Sequence, residues 1–308
     1  MAQTKNQTDI PVIDISNTTK IYPDGTVGIQ DLSLQINHNE IYGFLGQNGA
    51  GKTTMIRAIL NILIPQQGEI RVNGELISRD NPSIREQIGY LPGELNIPPD
   101  YTVEDFLIYM ATLKRRPSDR MEEIATRFDL PLDKKVNALS KGNKQKMGIV
   151  LAFMHDPEIY ILDEPSSGLD PLWQQELYDL ILEEKQRGKT VFFSSHNLDE
   201  VQKICDRVAI IREGKLVTVE VVDDLAEKIT RKLTVMIDNL QESEIDDIRA
   251  HTNLDSYNLK SGELSIIIRN PQEVSTALSY FNQFNSRLKD LIFPPASLEV
   301  FFLEKYRE

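Results

Sequence analysis

Cysteine is nearly absent: one thiol, Cys205, in 308 residues. It cannot close an intrachain disulfide, and nothing near it in sequence suggests a metal site, so a buried structural thiol is its default reading. Long apolar runs are missing too. No stretch approaches the roughly 18 consecutive apolar residues of a membrane span. Met1–Asp9 is polar and lacks the apolar core of a signal peptide. These absences predict a cytoplasmic chain with no membrane anchor of its own. Positive charge is also short: 34 Lys and Arg against 47 Asp and Glu leave a net charge of −13. Sequence-independent nucleic-acid binding rests on Lys and Arg neutralising phosphates, so that class is excluded as the main role. The densest basic cluster, Lys114-Arg115-Arg116, reads as a solvated helix end. Of the four histidines, His38, His155 and His251 stand in no chemical context. The one tryptophan, Trp173, reads as helix-face packing, and Phe301-Phe302 as packing of a last helix. With 40% hydrophobic and 26% charged residues the composition is that of an ordinary globular chain of one or two domains.

Against this plain background stands Gly46-Gln47-Asn48-Gly49-Ala50-Gly51-Lys52-Thr53-Thr54. It fills the phosphate-loop pattern G-x-x-x-x-G-K-[ST] with Gly46, Gly51, Lys52 and Thr53 at the fixed positions. A chance match in a chain of this length has a probability on the order of one per cent. The flanks strengthen it: Glu40–Leu45 reads as a buried strand and Met55–Ile64 as a helix. Glycines let backbone N–H groups approach an anion, and a helix N-terminus adds partial positive charge. Lys52 supplies a mobile ammonium for the β- and γ-phosphates, and the Thr53 hydroxyl can ligate magnesium.

Downstream, Ile159-Tyr160-Ile161-Leu162-Asp163-Glu164 is an apolar run that ends in two carboxylates. A buried parallel strand opens at its C-terminal end into the ligand crevice. There Asp163 would hold magnesium and Glu164 could polarise a water for in-line attack. An apolar strand followed by Asp is common; the phosphate loop upstream is what gives this one meaning. The adjacent Glu164 favours a hydrolase over a kinase.

The remaining elements organise around these two. Residues 10–42 alternate apolar and polar positions about a turn at Pro23-Asp24-Gly25, an antiparallel β pattern. Gly68–Gly74 and Ile88–Leu91 read as short strands. Helical periodicity at Val103–Leu113 and Met121–Phe128 marks a helical insertion at about 95–142. An apolar helix at Asn143–Met154 follows, then strands at Thr190–Ser194 and Val208–Gly214. Such alternation predicts an α/β fold with a parallel core sheet over 1–221. Near residue 222 the pattern resets into a small α+β domain, 222–308. Its expected elements are strands at Leu233–Ile237, Leu264–Ile268 and near Leu291–Phe293, and helices at Gln241–Ala250, Pro271–Phe284 and from Ser297.

Leu139-Ser140-Lys141-Gly142-Asn143-Lys144-Gln145-Lys146-Met147 precedes the apolar helix. Ser140 is a good N-cap, and Gly142 admits close backbone approach. In its place between phosphate loop and carboxylate strand, the segment resembles the signature sequence of the ATP-binding-cassette ATPases. Ser167-Gly168-Leu169-Asp170 resembles that family's D-loop, His196 its switch histidine, and Tyr22 the aromatic residue that stacks on adenine. The resemblance covers about residues 10–220 and implies a P-loop NTPase cassette that binds ATP with Mg2+. It implies that Gly46 to Thr54 and Tyr22 bind nucleotide, that Thr53 and Asp163 bind metal, and that Glu164 and His196 are catalytic. It further implies head-to-tail pairing, in which Ser140 and Gly142 contact the γ-phosphate bound by the other cassette. A homodimer or a heterodimer with a related chain is therefore expected, with an integral-membrane permease as partner. The tail after residue 222 resembles the exporter branch, of multidrug or antimicrobial-peptide type. The alternative is a regulatory, translation or repair ATPase without a permease. Two departures stand out: Asn143 where glutamine is usual, and Leu91-Pro92-Gly93-Glu94 where the family carries a loop glutamine.

Overall fold

The computed structural model describes residues 10–78, 81, 83–114, 120–224 and 231–293. The expected helix from Ser297, Phe301-Phe302, Arg115-Arg116 and Met1–Asp9 lie outside them. By internal contacts the chain forms two compact units, Met1–Val221 and Val222–Glu308.

The first unit holds two sheets. β1 (Ile13–Ile21) pairs antiparallel with β2 (Val27–Ile36) and with β4 (Gln67–Val72), and β4 with β5 (Glu75–Leu76). Asn73 and Gly74 join the last pair with φ of 50° and 79°, the doubly left-handed backbone of a tight hairpin. The second sheet contains β3 (Ile41–Leu45), β6 (Ile88–Leu91), β7 (Ile159–Asp163), β8 (Thr190–Ser195), β9 (Arg207–Arg212) and β10 (Lys215–Val221). Its order is β10-β9-β3-β8-β7-β6, parallel except at β10. β3, β7 and β8 are buried at every position, which is why their sequences run apolar without alternation.

α1 (Lys52–Ile59) packs on both sheets: Met55, Ile56 and Ile59 share one core with Ile13 and Ile29 and with Phe44 and Ile161. It starts and stops earlier than its apolar pattern predicts. Asn61 adopts a left-handed backbone, φ 54°, and the Ile62 N–H bonds back to the Arg57 carbonyl at 2.9 Å. This closes the helix as a glycine would. A short α2 (Ser83–Glu86) precedes β6. The insertion carries α3 (Val103–Lys114) and α4 (Met121–Arg127), and α5 (Lys141–Phe153) leads back to β7. α6 (Pro171–Gln186) and α7 (Leu198–Ile204) flank β8 in sequence.

In the second unit β11 (Arg231–Ile237), α8 (Glu242–His251), β12 (Leu254–Asn258), β13 (Glu263–Ile268), α9 (Pro271–Phe281) and β14 (Leu288–Ile292) follow a split βαβ pattern. The sheet order is β12-β13-β11-β14, all antiparallel. Leu233, Val235, Ile245, Ile248, Leu264, Ile266 and Phe281 fill its core. β12 carried no sequence signal because four of its five residues are exposed. α9 ends three residues before the expected Phe284; a 3-10 turn, Asn282–Arg287, takes over.

Candidate active site

Register brings the chemistry together. Leu45 lies beside Ser195, and Asp163 beside Ser194, so the loops that leave β3, β7 and β8 emerge side by side. The β3 loop is Gly46–Gly51, and its path depends on missing side chains. A Cβ at Gly46 would stand 2.7 Å from the Ile211 carbonyl oxygen. Gly51 has φ +110°, and a Cβ there would stand 2.3 Å from the Gly28 oxygen. Helix α1 begins at the next residue, so Lys52 and Thr53 stand in its first turn.

Lys52 is 6% exposed. Its Nζ donates to the Gly46 carbonyl at 2.6 Å and pairs with Glu164 Oε1 at 3.0 Å. Thr53 Oγ1 donates to Asp163 Oδ2 at 2.9 Å, and Ser194 Oγ donates to Asp163 Oδ1 at 2.7 Å. Both Asp163 oxygens are thus oriented by hydroxyls. Glu164 turns away from the strand with φ 49°, and its N–H donates to Ser194 Oγ at 3.0 Å. That left-handed turn costs energy in a residue with a Cβ. It separates the two neighbouring carboxylates: Asp163 faces Thr53, and Glu164 faces Lys52 and His196. His196 Nδ1 lies 2.6 Å from Glu164 Oε2.

Two cavities share this floor. One, of about 310 Å³, is lined by Tyr22, Thr26, Val27, Asn48, Gly49, Gly51, Lys52, Thr53, Thr54 and Glu164. The Tyr22 hydroxyl stands 3.1 Å from Thr54 Oγ1 at its wall. The other, of about 440 Å³, is lined by Asn48, Thr53, Tyr90, Gly93, Glu94, Lys141, Asp163, Glu164, Ser167 and His196 among others. Burial, with the Asp163 charge added, pushes the Tyr90 hydroxyl up to about 12. A Cβ on Gly93 would reach within 3.7 Å of the Asp163 carboxyl carbon, so a longer side chain there would meet Asp163, and Gly93 leaves that space open.

Gln47, Asn48 and Gly49 are exposed on the loop, whereas Ala50 packs beneath it. Ser140 and Gly142 line neither cavity. Ser140 caps α5 by accepting from the Asn143 N–H at 3.2 Å. A Cβ on Gly142 would meet the Gly168 oxygen at 3.0 Å, so the signature segment packs on the D-loop. Lys141, between them, does reach the second cavity. Trp173 packs as expected, under the Lys146 ammonium at 3.4 Å and beside Phe128. Sequence reasoning passed over Ser194, Lys141 and Tyr90. Ser194 was visible only as part of the lead-in to His196, because a serine at a strand end carries no pattern of its own.

A glycine loop feeding a helix, with lysine, threonine and strand-end carboxylates converging on it, defines a phosphate-loop protein built to hold a nucleoside triphosphate. Comparison with known proteins narrows this. Residues 29–167 match the sequence model of the ABC transporter family. The uncharacterized ABC transporter ATP-binding protein YhaQ of Bacillus subtilis (strain 168) is 32% identical over 303 residues, covering 96% of this chain and 98% of the relative. The Nod factor export ATP-binding protein I of Burkholderia orbicola (strain AU 1054) is 32% identical over 209 residues, 66% of this chain and 68% of the relative. A solved ATP-binding subunit of an ABC transporter matches with a TM-score of 0.64 at 29% identity, covering 70% of this chain and 91% of that one. The chain belongs to the ABC transporter ATP-binding proteins: it binds ATP and is an ATPase. Among the described residues no helix is long and apolar enough to cross a membrane.

Proposed function

We propose that this chain powers a separate integral-membrane permease, exporting its substrate, through ATP hydrolysis at a seam between two cassettes. The observation that carries the site reading is Glu164, held between Lys52 Nζ at 3.0 Å and His196 Nδ1 at 2.6 Å. Lys52 is the phosphate ligand. When a triphosphate binds, its oxygens replace Glu164 as the partner of Lys52, and the carboxylate is released toward the attacking water. Glu164 accepts a proton from that water as its oxygen bonds to the γ-phosphorus. The bond to the bridging oxygen breaks, and ADP and phosphate leave. His196 orients Glu164 and contacts the γ-phosphate. Tyr22 stacks on the adenine, and the loop from Gly46 to Thr54 cradles the phosphates.

Thr53 Oγ1 and Asp163 Oδ2 would hold Mg2+. They are hard oxygen donors 2.9 Å apart, and magnesium takes few protein ligands, keeping waters and substrate phosphates as the rest. The bound ion would neutralise charge on the β- and γ-phosphates. Ser140 and Gly142 would act on the nucleotide of a partner, either a second copy or a related chain. Export is supported by the relative named for it; residues 222–308 form an accessory domain, and the alignment with YhaQ, over 96% of the chain, extends into it. The protein works at the inner face of the cell membrane, held there by the permease.

Glu164→Gln tests the assignment. ATP affinity should stay within a few-fold, while turnover falls by about a hundredfold or more, the range of general-base catalysis. Wild-type turnover in that variant would remove Glu164 from the mechanism.

A further inference from the structure

We infer that Glu200 is a positioning residue for hydrolysis: its buried carboxylate clamps the D-loop to the switch-histidine loop. Glu200 lies in the first turn of α7 and is 6% exposed. Ser166 Oγ donates to its Oε1 at 2.6 Å, and Ser195 Oγ donates to its Oε2 at 2.6 Å. Ser166 follows Glu164 by two residues and immediately precedes the D-loop; Ser195 immediately precedes His196. Ser195 Oγ also accepts from the Asn197 N–H at 2.9 Å, so the serine holds the backbone on both sides of the histidine.

The carboxylate has no salt bridge to a lysine or arginine among the described residues. Its charge rests on hydroxyl donors and on the N-terminal turn of its helix. Tyr178, on α6, feels the same group: burial, then the Glu200 charge, pushes its hydroxyl well above the usual range. A buried carboxylate satisfied by one hydroxyl on each oxygen fixes the spacing of the two segments that supply them, because each lost donor leaves an oxygen without a partner.

The division of labour on β8 supports this role. Ser194 serves Asp163 on one side of the strand, and Ser195 serves Glu200 on the other. One strand end thereby sets both the carboxylate at the phosphate site and the brace behind it. Glu200 touches neither cavity, so it acts through Ser166 and Ser195 and not on nucleotide. The inference rests on the roles proposed for Glu164 and His196.

The test measures ATP affinity and turnover separately on the full chain for Glu200→Ala, Glu200→Gln, Ser166→Ala and Glu164→Gln. Glu200→Ala should lower kcat about tenfold or more with ATP affinity within twofold. Hydrogen exchange should speed at the amides of 166–170 and 195–198. Glu200→Gln should recover most of kcat, since an amide can accept from one serine and donate to the other. Ser166→Ala removes one hydroxyl with little threat to folding and should show a smaller loss of the same kind. Wild-type kcat in Glu200→Ala or in Ser166→Ala overturns the inference. So does loss of ATP affinity in parallel with kcat, or a glutamine variant no better than alanine. An inactive Glu164→Gln beside a fully active Glu200→Ala defeats this inference alone; an active Glu164→Gln defeats the site reading beneath it.

Discussion

At Gly51 the chain does something no other residue can. Its φ of +110° lies far from the region open to side chains, and a Cβ would press on the Gly28 oxygen at 2.3 Å. Gly25, in the β1–β2 turn, also has positive φ, +86°, yet nothing lies within 4 Å of its missing Cβ. The two positions separate backbone strain from steric conflict. Gly25→Ala should cost about 1 kcal/mol of stability and leave ATP affinity alone. Gly51→Ala must move either the loop or β2, and the loop is the weaker of the two. Its ATP affinity should fall by at least about tenfold, equivalent to about 1.4 kcal/mol. A titration with a fluorescent ATP analogue checks the pair: equal affinities in the two variants would mean that the loop geometry is not what binds phosphate.

Among the elements, the insertion is tied to the core by charge as much as by apolar packing. Glu184, on α6, is fully buried. It accepts from Arg120 Nη1 at 2.6 Å, just ahead of α4, from Arg187 Nη1 at 2.8 Å, and from the Tyr160 hydroxyl at 2.8 Å, on β7. Arg127, at the end of α4, reaches Glu183, next to Glu184, and Glu176, about two turns earlier on α6. Glu184→Ala leaves the buried Tyr160 hydroxyl without its acceptor. It also takes from Arg120 and Arg187 their buried carboxylate partner, leaving them Asp156 and, for Arg120, Glu123. It should therefore lose about 3 kcal/mol, the lower end of the scale of a broken buried pair. Urea unfolding measures this, and ATP affinity should not change, since Glu184 lines neither nucleotide cavity. None of this hub was readable beforehand. Glu184 sits in Leu182-Glu183-Glu184-Lys185, which reads as a solvated helix face. Glu200 was hidden the same way. What could be read was whatever burial writes continuously into sequence: β3, β7 and β8, and the helix that follows the signature. The phosphate loop was legible because glycine spacing is a backbone requirement. The end of α1 was not, because Asn61 is an ordinary residue until its backbone turns left-handed, and exposed β12 left no alternation to find.

For the whole molecule the question is how hydrolysis could be felt outside it. Among the described residues the insertion carries an apolar surface: Ile108 is 49% exposed, Tyr109 47% and Leu113 57%. Tyr109 and Leu113 lie one helical turn apart on α3, and Tyr109 stacks with half-exposed Tyr101 at 6.1 Å. An apolar cluster of this kind is costly to leave in water and marks an interaction surface. It lies on the same insertion that the Glu184 hub fastens to α6, the helix that follows the D-loop directly. The hub thus joins the helix that follows the D-loop to the insertion that carries this face. On the proposal of a permease partner, the face is where the partner docks. Tyr109→Glu and Leu113→Glu should then leave ATP affinity unchanged in the isolated chain and abolish its co-purification with the membrane protein. The folded core should tolerate both, because neither side chain is buried. Recovery of the glutamate variants in the membrane fraction at the wild-type level would move the docking surface elsewhere. Loss of ATP binding in the isolated variants would instead show that α3 belongs to the nucleotide site, and the separation of hydrolysis from docking would fail.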